Sequence, residues 1–247
     1  MLEAVGLPAA PTSLYVVAVL FAAYLVRGLA GFGSGLIAVP LLSLVLPVPL
    51  VVPLVVLLDY VGSASQGLRN VEHFAWPDQL VLIPFMLVGV GVGLHVLAVL
   101  PARTLARALG AFVIVYALYQ WLPLPPLRGS RAFATVCGFF GGLVGTVFGA
   151  GGPFYVIYFT LRALPKTVFR ATFAINYLID GSVRLIAYVV TGLLALETAP
   201  LLALGLPVAA AGLYAGGRLQ TGFSQPVFVR MVSLLLIASG LALLVKR

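Results

Sequence analysis

Residues 80 to 100, LVLIPFMLVGVGVGLHVLAVL, contain no Asp, Glu, Lys or Arg. At 1.5 Å rise per residue, a helix of this length spans a hydrocarbon core of about 30 Å. Further apolar runs at residues 14 to 26, 105 to 122, 201 to 213 and 231 to 245 approach or cross the same thickness. Only 8% of the 247 residues are charged and 62% are hydrophobic, whereas a water-soluble domain carries about a quarter charged residues. A soluble fold is excluded, and the chain reads as an all-α polytopic membrane protein. The connections between runs are too short to fold as separate domains, so function must sit among the helices. Glu3 and no Lys or Arg precede the first run, so that run is expected to stay as a span and not to be a cleaved signal peptide.

The net charge of +8 is spread over Lys and Arg residues near helix ends. That distribution sets membrane orientation and lacks the clustered stripe of a nucleic-acid-binding surface. One cysteine, Cys137, and two histidines, His73 and His95, are too few for a metal cage. They also share no catalytic spacing, so neither a cofactor nor an enzymatic activity is expected. There is no G-x-x-x-x-G-K-[ST] loop, so this chain does not use ATP.

A shift of 123 residues lays Pro77 on Pro200, Pro84 on Pro207, Gly89 on Gly212, Gly93 on Gly216 and Arg107 on Arg230. A shift of 116 lays the FGSG of residues 32 to 35 on the FGAG of residues 148 to 151, and 117 lays Asp59 and Tyr60 on Asn176 and Tyr177. The chain therefore divides into two homologous repeats, 1–122 and 131–247, joined by a loop at 123–130. Each has about five apolar helical segments, eight to ten in total. The expected limits are 13–31, 34–46, 49–69, 77–98 and 103–122, then 131–148, 152–164, 167–195, 199–219 and 225–246. The second segment of each repeat is too short to span, so segments one and two form a glycine-broken helical hairpin that enters the bilayer and returns. Such a repeat inverts its neighbour. Inversion collects Arg69, Arg128, Arg131, Arg162, Lys166, Arg170, Arg218 and Arg230 on one face and only Arg103, Arg107, Lys246 and Arg247 on the other. If each hairpin were a single broken crossing, the same residues would divide five against seven, which gives no orientation.

Irregular backbone within a membrane must hide from lipid, because each unpaired N–H or C=O costs several kcal/mol. The breaks at Gly33, Ser34 and Gly35, and at Gly149, Ala150, Gly151 and Gly152, are therefore expected to face the protein interior. Each begins a new helix, whose free amides and positive dipole end suit an anion. Two such starts meeting near the midplane would form a substrate site of the kind found in transporters with inverted repeats. The alternative is that the glycines only let helices approach closely.

The two stretches GFGSGLIAVPLL (31–42) and GTVFGAGGPFYVIYF (145–159), with the duplicated arrangement, resemble the TauE/SafE family of sulfite and organosulfur-anion exporters over essentially the whole chain. The pattern departs at Ser34 and Ala150, where family members often carry further glycine. The resemblance implies a multi-pass bacterial inner-membrane permease, a small anionic substrate such as sulfite or a sulfonate, and no catalytic residues. It leaves the anion, the coupling ion and the oligomeric state open, and an anion channel remains the alternative to a carrier.

Charges inside apolar segments are candidates for function. Arg27, just before the first break, has Leu143 as its approximate counterpart and can attract an anion. Asp59 is a candidate carrier of a coupling proton, and the matching Asn176 a donor to an oxyanion. Asp180 and Arg184 lie four apart on one helix, either as a neutral structural pair or as a gate that an anion opens by competing for the arginine. Tyr155 offers a hydroxyl to a sulfonate oxygen. The inverted layout places both termini outside. In a Cys137→Ala background, Leu2→Cys and Arg247→Cys are both expected to react with an impermeant maleimide added to intact cells, and reaction of one alone would reject that layout.

Overall fold

The computed structural model describes residues 10–30, 33–67, 74–122, 129–194, 198–219 and 225–246. Among them are ten helices and no strand: α1 (Ala10–Ala30), α2 (Ser34–Leu42), α3 (Val48–Gly67), α4 (Trp76–Val99), α5 (Ala102–Tyr119), α6 (Phe133–Phe148), α7 (Gly152–Leu161), α8 (Lys166–Val190), α9 (Ala199–Arg218) and α10 (Gln225–Val245). Each of the ten expected segments is a helix. Most of the expected 123–130 loop, and Gly31 and Phe32 of the first break, lie outside the described residues.

Five helices, α1, α4, α5, α8 and α9, contain stretches long and apolar enough to cross a membrane by length and composition. The second helices α2 and α7 have only 9 and 10 residues, about 14 Å of rise. The helices before them are longer, 21 residues in α1 and 16 in α6. Side chains such as Leu80, Val88, Val115, Val136, Ile186 and Leu234 are exposed, as the lipid-facing side of a bundle requires. Trp76 and Trp121 are exposed at helix ends, where aromatic side chains favour the membrane interface.

Four helix pairs carry most of the packing: α4 with α6, α1 with α9, α5 with α10, and α3 with α8. Small residues make the first two close. A Cβ at Gly89 would collide with the Phe139 carbonyl oxygen, and one at Gly93 would press on Leu143 and Thr146. On the other pair, Gly212 faces Phe21 and Leu25, and Gly216 faces Leu25 and Gly28. In both pairs the contacts advance together along the two chains, so the helices run parallel. In α5 and α10, Gly110 and Gly240 approach each other's carbonyls, while Gly110 also meets Leu243 and Gly240 meets Ile114. Those contacts advance in opposite senses, so that pair is antiparallel.

Backbones in such contact gain dispersion and leave no room for a side chain. Gly142→Ala, which drives a methyl into the Met86 carbonyl oxygen, is expected to destabilise the protein by about 1–3 kcal/mol. Gly91→Ala, which meets nothing within 4 Å, is expected to leave the melting temperature in detergent unchanged or higher.

Candidate functional site

The two breaks touch. Gly33 takes the left-handed conformation (φ 98°) before α2, and Gly149 does the same (φ 65°) after α6. Both are turns that L side chains enter only with strain. A Cβ at Gly35 would strike the Gly149 carbonyl oxygen, and one at Gly151 would strike the Gly141 carbonyl oxygen of the same hairpin. Gly35 and Gly151 thus serve close approach. Gly152 is different: a Cβ there would find only ordinary contacts, 3.7 Å from the Phe173 and Tyr177 rings.

Between the breaks lies a cleft lined by Gly33, Gly35, Leu36, Gly149, Ala150, Gly152, Pro153, Phe173 and Tyr177. Its volume is 10 Å³, room for about one water. An anion of several heavy atoms does not fit in it. Helix starts α2 and α7 both border this cleft, which brings their positive dipole ends to it, although Pro153 has no N–H and the Phe154 amide donates to the Gly151 carbonyl.

Beside the cleft, Arg27 and Asp59 form one buried cluster. Arg27 Nη1 lies 2.6 Å from Asp59 Oδ1. Ser34 Oγ and the Tyr24 hydroxyl donate to the same oxygen at 2.6 Å each, and the Tyr177 hydroxyl donates to Oδ2 at 3.4 Å. Arg27 also donates from Nη1 to Ser34 Oγ at 3.1 Å, and from Nη2 to Ser63 Oγ at 2.6 Å and to the Asp59 carbonyl at 3.2 Å. Ser34, the first residue of α2, therefore ties the break to the ion pair. Tyr177, which lines the cleft, reaches the same carboxylate from α8.

The second break carries its own cation from a different helix. Arg184 of α8 donates from Nη1 to the Gly145 carbonyl at 2.7 Å and is paired with Asp180. Its guanidinium lies 3.3 Å from where a Gly145 Cβ would be. Tyr188 donates to the Thr146 carbonyl at 2.7 Å. Arg27 likewise sits in the last turn of α1, so each hairpin has a guanidinium near the C-terminal end of its first arm, where a helix dipole favours positive charge. The residue aligned with Arg27, Leu143, plays no such part.

Two other sequence candidates lie away from the cleft lining. Asn176 accepts from Gln79 Nε2 of α4 at 2.8 Å, leaving Gln79 Oε1 and Asn176 Nδ2 without partners. The Tyr155 ring packs on Gly141, with its hydroxyl directed at the Asp180 carboxylate. Sequence reasoning missed Tyr24, Ser63 and Gln79. The spacing held a signal for two of them: Tyr24 precedes Arg27 by three positions and Ser63 follows Asp59 by four, which places each on the same helix face as its charged partner.

The end of the second hairpin away from the break is held by charge. Asp78 of α4 accepts from Arg162 Nε at 2.6 Å and from the Tyr158 hydroxyl at 3.3 Å, with Arg131 at 3.6 Å. Arg162 also donates to the Gly129 carbonyl at 2.9 Å.

The profile of the sulfite exporter TauE/SafE family matches residues 16–243, and the chain belongs to that family, a family of membrane transporters and not of enzymes. It is 28% identical over 199 residues to the probable inner membrane transporter protein TsaS of Comamonas testosteroni, covering 77% of this chain and 81% of the relative. It is 27% identical over 222 residues to the probable sulfite/organosulfonate exporter TauE of Cupriavidus necator, covering 87% and 86%. No solved structure matches the chain significantly.

Removing one member of a buried ion pair strands the other in low dielectric. Asp59→Asn is therefore expected to cost about 3–5 kcal/mol, read as a lowered melting temperature in detergent. The double variant Arg27→Gln/Asp59→Asn should recover part of that loss, and equal melting of single and double variants would show that the pair is not coupled.

Proposed function

We propose that this member of the sulfite exporter family is a secondary transporter that carries a small sulfur oxyanion, sulfite or an organosulfonate, across the bacterial inner membrane. In this reading the substrate occupies an opened form of the cleft between the two breaks, and access alternates between the two faces. The observation that carries it is the meeting of α2 and α7 starts on one cleft lined by Gly33, Gly35, Gly149, Ala150 and Gly152. The relatives' names supply the substrate class.

Several features support the reading. The polar groups around the cleft are mainly donors: helix-start amides and the Tyr177 hydroxyl, with Arg27 and Arg184 behind them. Both guanidiniums keep an unused Nε–H. An oxyanion can take these donors while the carboxylates of Asp59 and Asp180 keep the empty site neutral. Competition between substrate and carboxylate for the arginines then gives binding a way to loosen the hairpins. Asp59 stands where a coupling proton would act. With a negative cytoplasm, outward movement of an anion is favourable by about 2.3 kcal/mol per charge per 100 mV, so export needs no coupling in principle.

The inverted repeat gives alternating access its geometry. The first helix of each half packs on the fourth helix of the other, α1 on α9 and α6 on α4, while third pairs with third and fifth with fifth. Gly89 and Gly93 make on α6 the contacts that Gly212 and Gly216 make on α1. A two-fold axis in the membrane plane relating repeats 1–122 and 131–247 accounts for that reciprocity and for the antiparallel α5 and α10. The Gly35–Gly149 contact closes the path at the centre, which favours a carrier over an open channel.

The purified protein in liposomes is expected to take up labelled sulfite faster when unlabelled sulfite is inside. Tyr177→Phe, which removes one donor from the cleft, should slow that exchange roughly fivefold without altering gel-filtration behaviour. Uptake indifferent to the internal anion would indicate a channel. No uptake of sulfite or of any sulfonate would overturn the substrate assignment.

A further inference from the structure

A second and larger cavity, 330 Å³, lies at the far end of α2 from the break. It is framed by the turn from Ser43 to Val48, the start of α5 at Ala102 and Arg103, and Lys246 just beyond α10. Among the described residues no acidic side chain lines it. Lys246 donates to the Ser43 carbonyl at 2.9 Å, which holds its ammonium over the cavity with two further N–H donors unspent. Arg103 is exposed at the rim. Ser43 is 1% exposed, lines the cavity and has a hydroxyl without a hydrogen-bond partner. Two helices begin here, α3 and α5, and two end here, α2 and α10, so the helix dipoles largely offset and the positive potential comes from Lys246 and Arg103.

The lining is apolar at Val45, Leu46, Pro47, Val48, Ala102 and Ala106, and its side-chain polar groups are Arg103, Lys246 and the buried Ser43 hydroxyl. It offers no carboxylate to a cation, and its charged groups suit an anion. We propose that it is a second oxyanion site, separate from the cleft at the breaks and about 14 Å from it along α2. The ligand is a sulfur or phosphorus oxyanion group. Two sources share that chemistry: a free anion of the kind transported, and the phosphate of an anionic lipid whose headgroup reaches the end of the bundle.

The test compares wild type with Arg103→Gln/Lys246→Gln and with Ser43→Ala in two arms. In the first, labelled sulfite and inorganic phosphate bind to the protein in phosphatidylcholine nanodiscs. In the second, native mass spectrometry counts phosphatidylglycerol molecules retained from mixed vesicles. The double variant is expected to bind the free anions about tenfold more weakly, or to lose a retained phosphatidylglycerol, with a smaller change of the same kind for Ser43→Ala. The arm that changes identifies the source. The charge-keeping variant Arg103→Lys/Lys246→Arg should retain binding, which separates lost charge from lost structure. Unchanged binding in both arms, or an equal loss in the charge-keeping variant, overturns the proposal. Because the readout is a difference at residues remote from the breaks, it stands or falls independently of transport through the central cleft.

Discussion

Two interruptions in apolar helices can persist within a membrane only if protein covers them, and here each break covers the other. The Gly149 carbonyl sits against Gly35 so closely that no side chain fits between them. Val39, Val52 and Val56 surround Gly149 on the remaining sides. That contact holds the two hairpins at the centre of the bundle, brings both second-arm starts to one cleft and fixes the depth of the buried charges. A backbone polar group left to lipid costs several kcal/mol, so the hairpins hold each other in register more firmly than propensity would.

The ion pairs follow from the same constraint. Ending α1 and α6 inside the protein exposes C-terminal carbonyls, and a guanidinium near each offsets their negative potential. Burying a guanidinium requires a carboxylate, which Asp59 and Asp180 supply. The two halves solve this differently: the first takes its arginine from the hairpin helix itself, the second from α8. In the proposed site, unlike charged residues beside the two hairpins would make the two sides of the cleft unequal to an anion, although a helix starts on each side.

That difference explains what was legible in the sequence. Apolar runs and the glycines and prolines that interrupt them are local features, so all ten helices could be located from the sequence. The second arms announced themselves as short because Pro165 and Pro47 follow them closely. Side-chain partnerships across helices do not repeat and leave weaker traces. Nothing in the spacing pairs Arg27 with Asp59, 32 positions away, or Gln79 with Asn176. Alignment assigned Leu143 to the Arg27 position, whereas the guanidinium of that half comes from Arg184, and only the packing of α8 over Gly145 makes the substitution visible. The individual glycines were also ambiguous, since close approach and ligand access call for the same residue. The surroundings separate them: Gly35 and Gly151 are crowded by backbone, while Gly152 meets only the Phe173 and Tyr177 rings at 3.7 Å.

The ends of α2 and α7 away from the breaks are held by forces of different strength, which bears on how such a protein would open. The end of α7 is tied to α4 by Asp78, which gathers Arg162, Arg131 and Tyr158, and Arg162 also grips the Gly129 carbonyl. The end of α2 is tied through neutral carbonyls, by Tyr15 at Leu41 and by Lys246 at Ser43. Separating the first pulls cations away from Asp78, whose side chain is 7% exposed, whereas separating the second exchanges hydrogen bonds to carbonyls for water. In the proposed carrier the two faces would therefore resist opening unequally, and the substrate would have only to supply the difference between them.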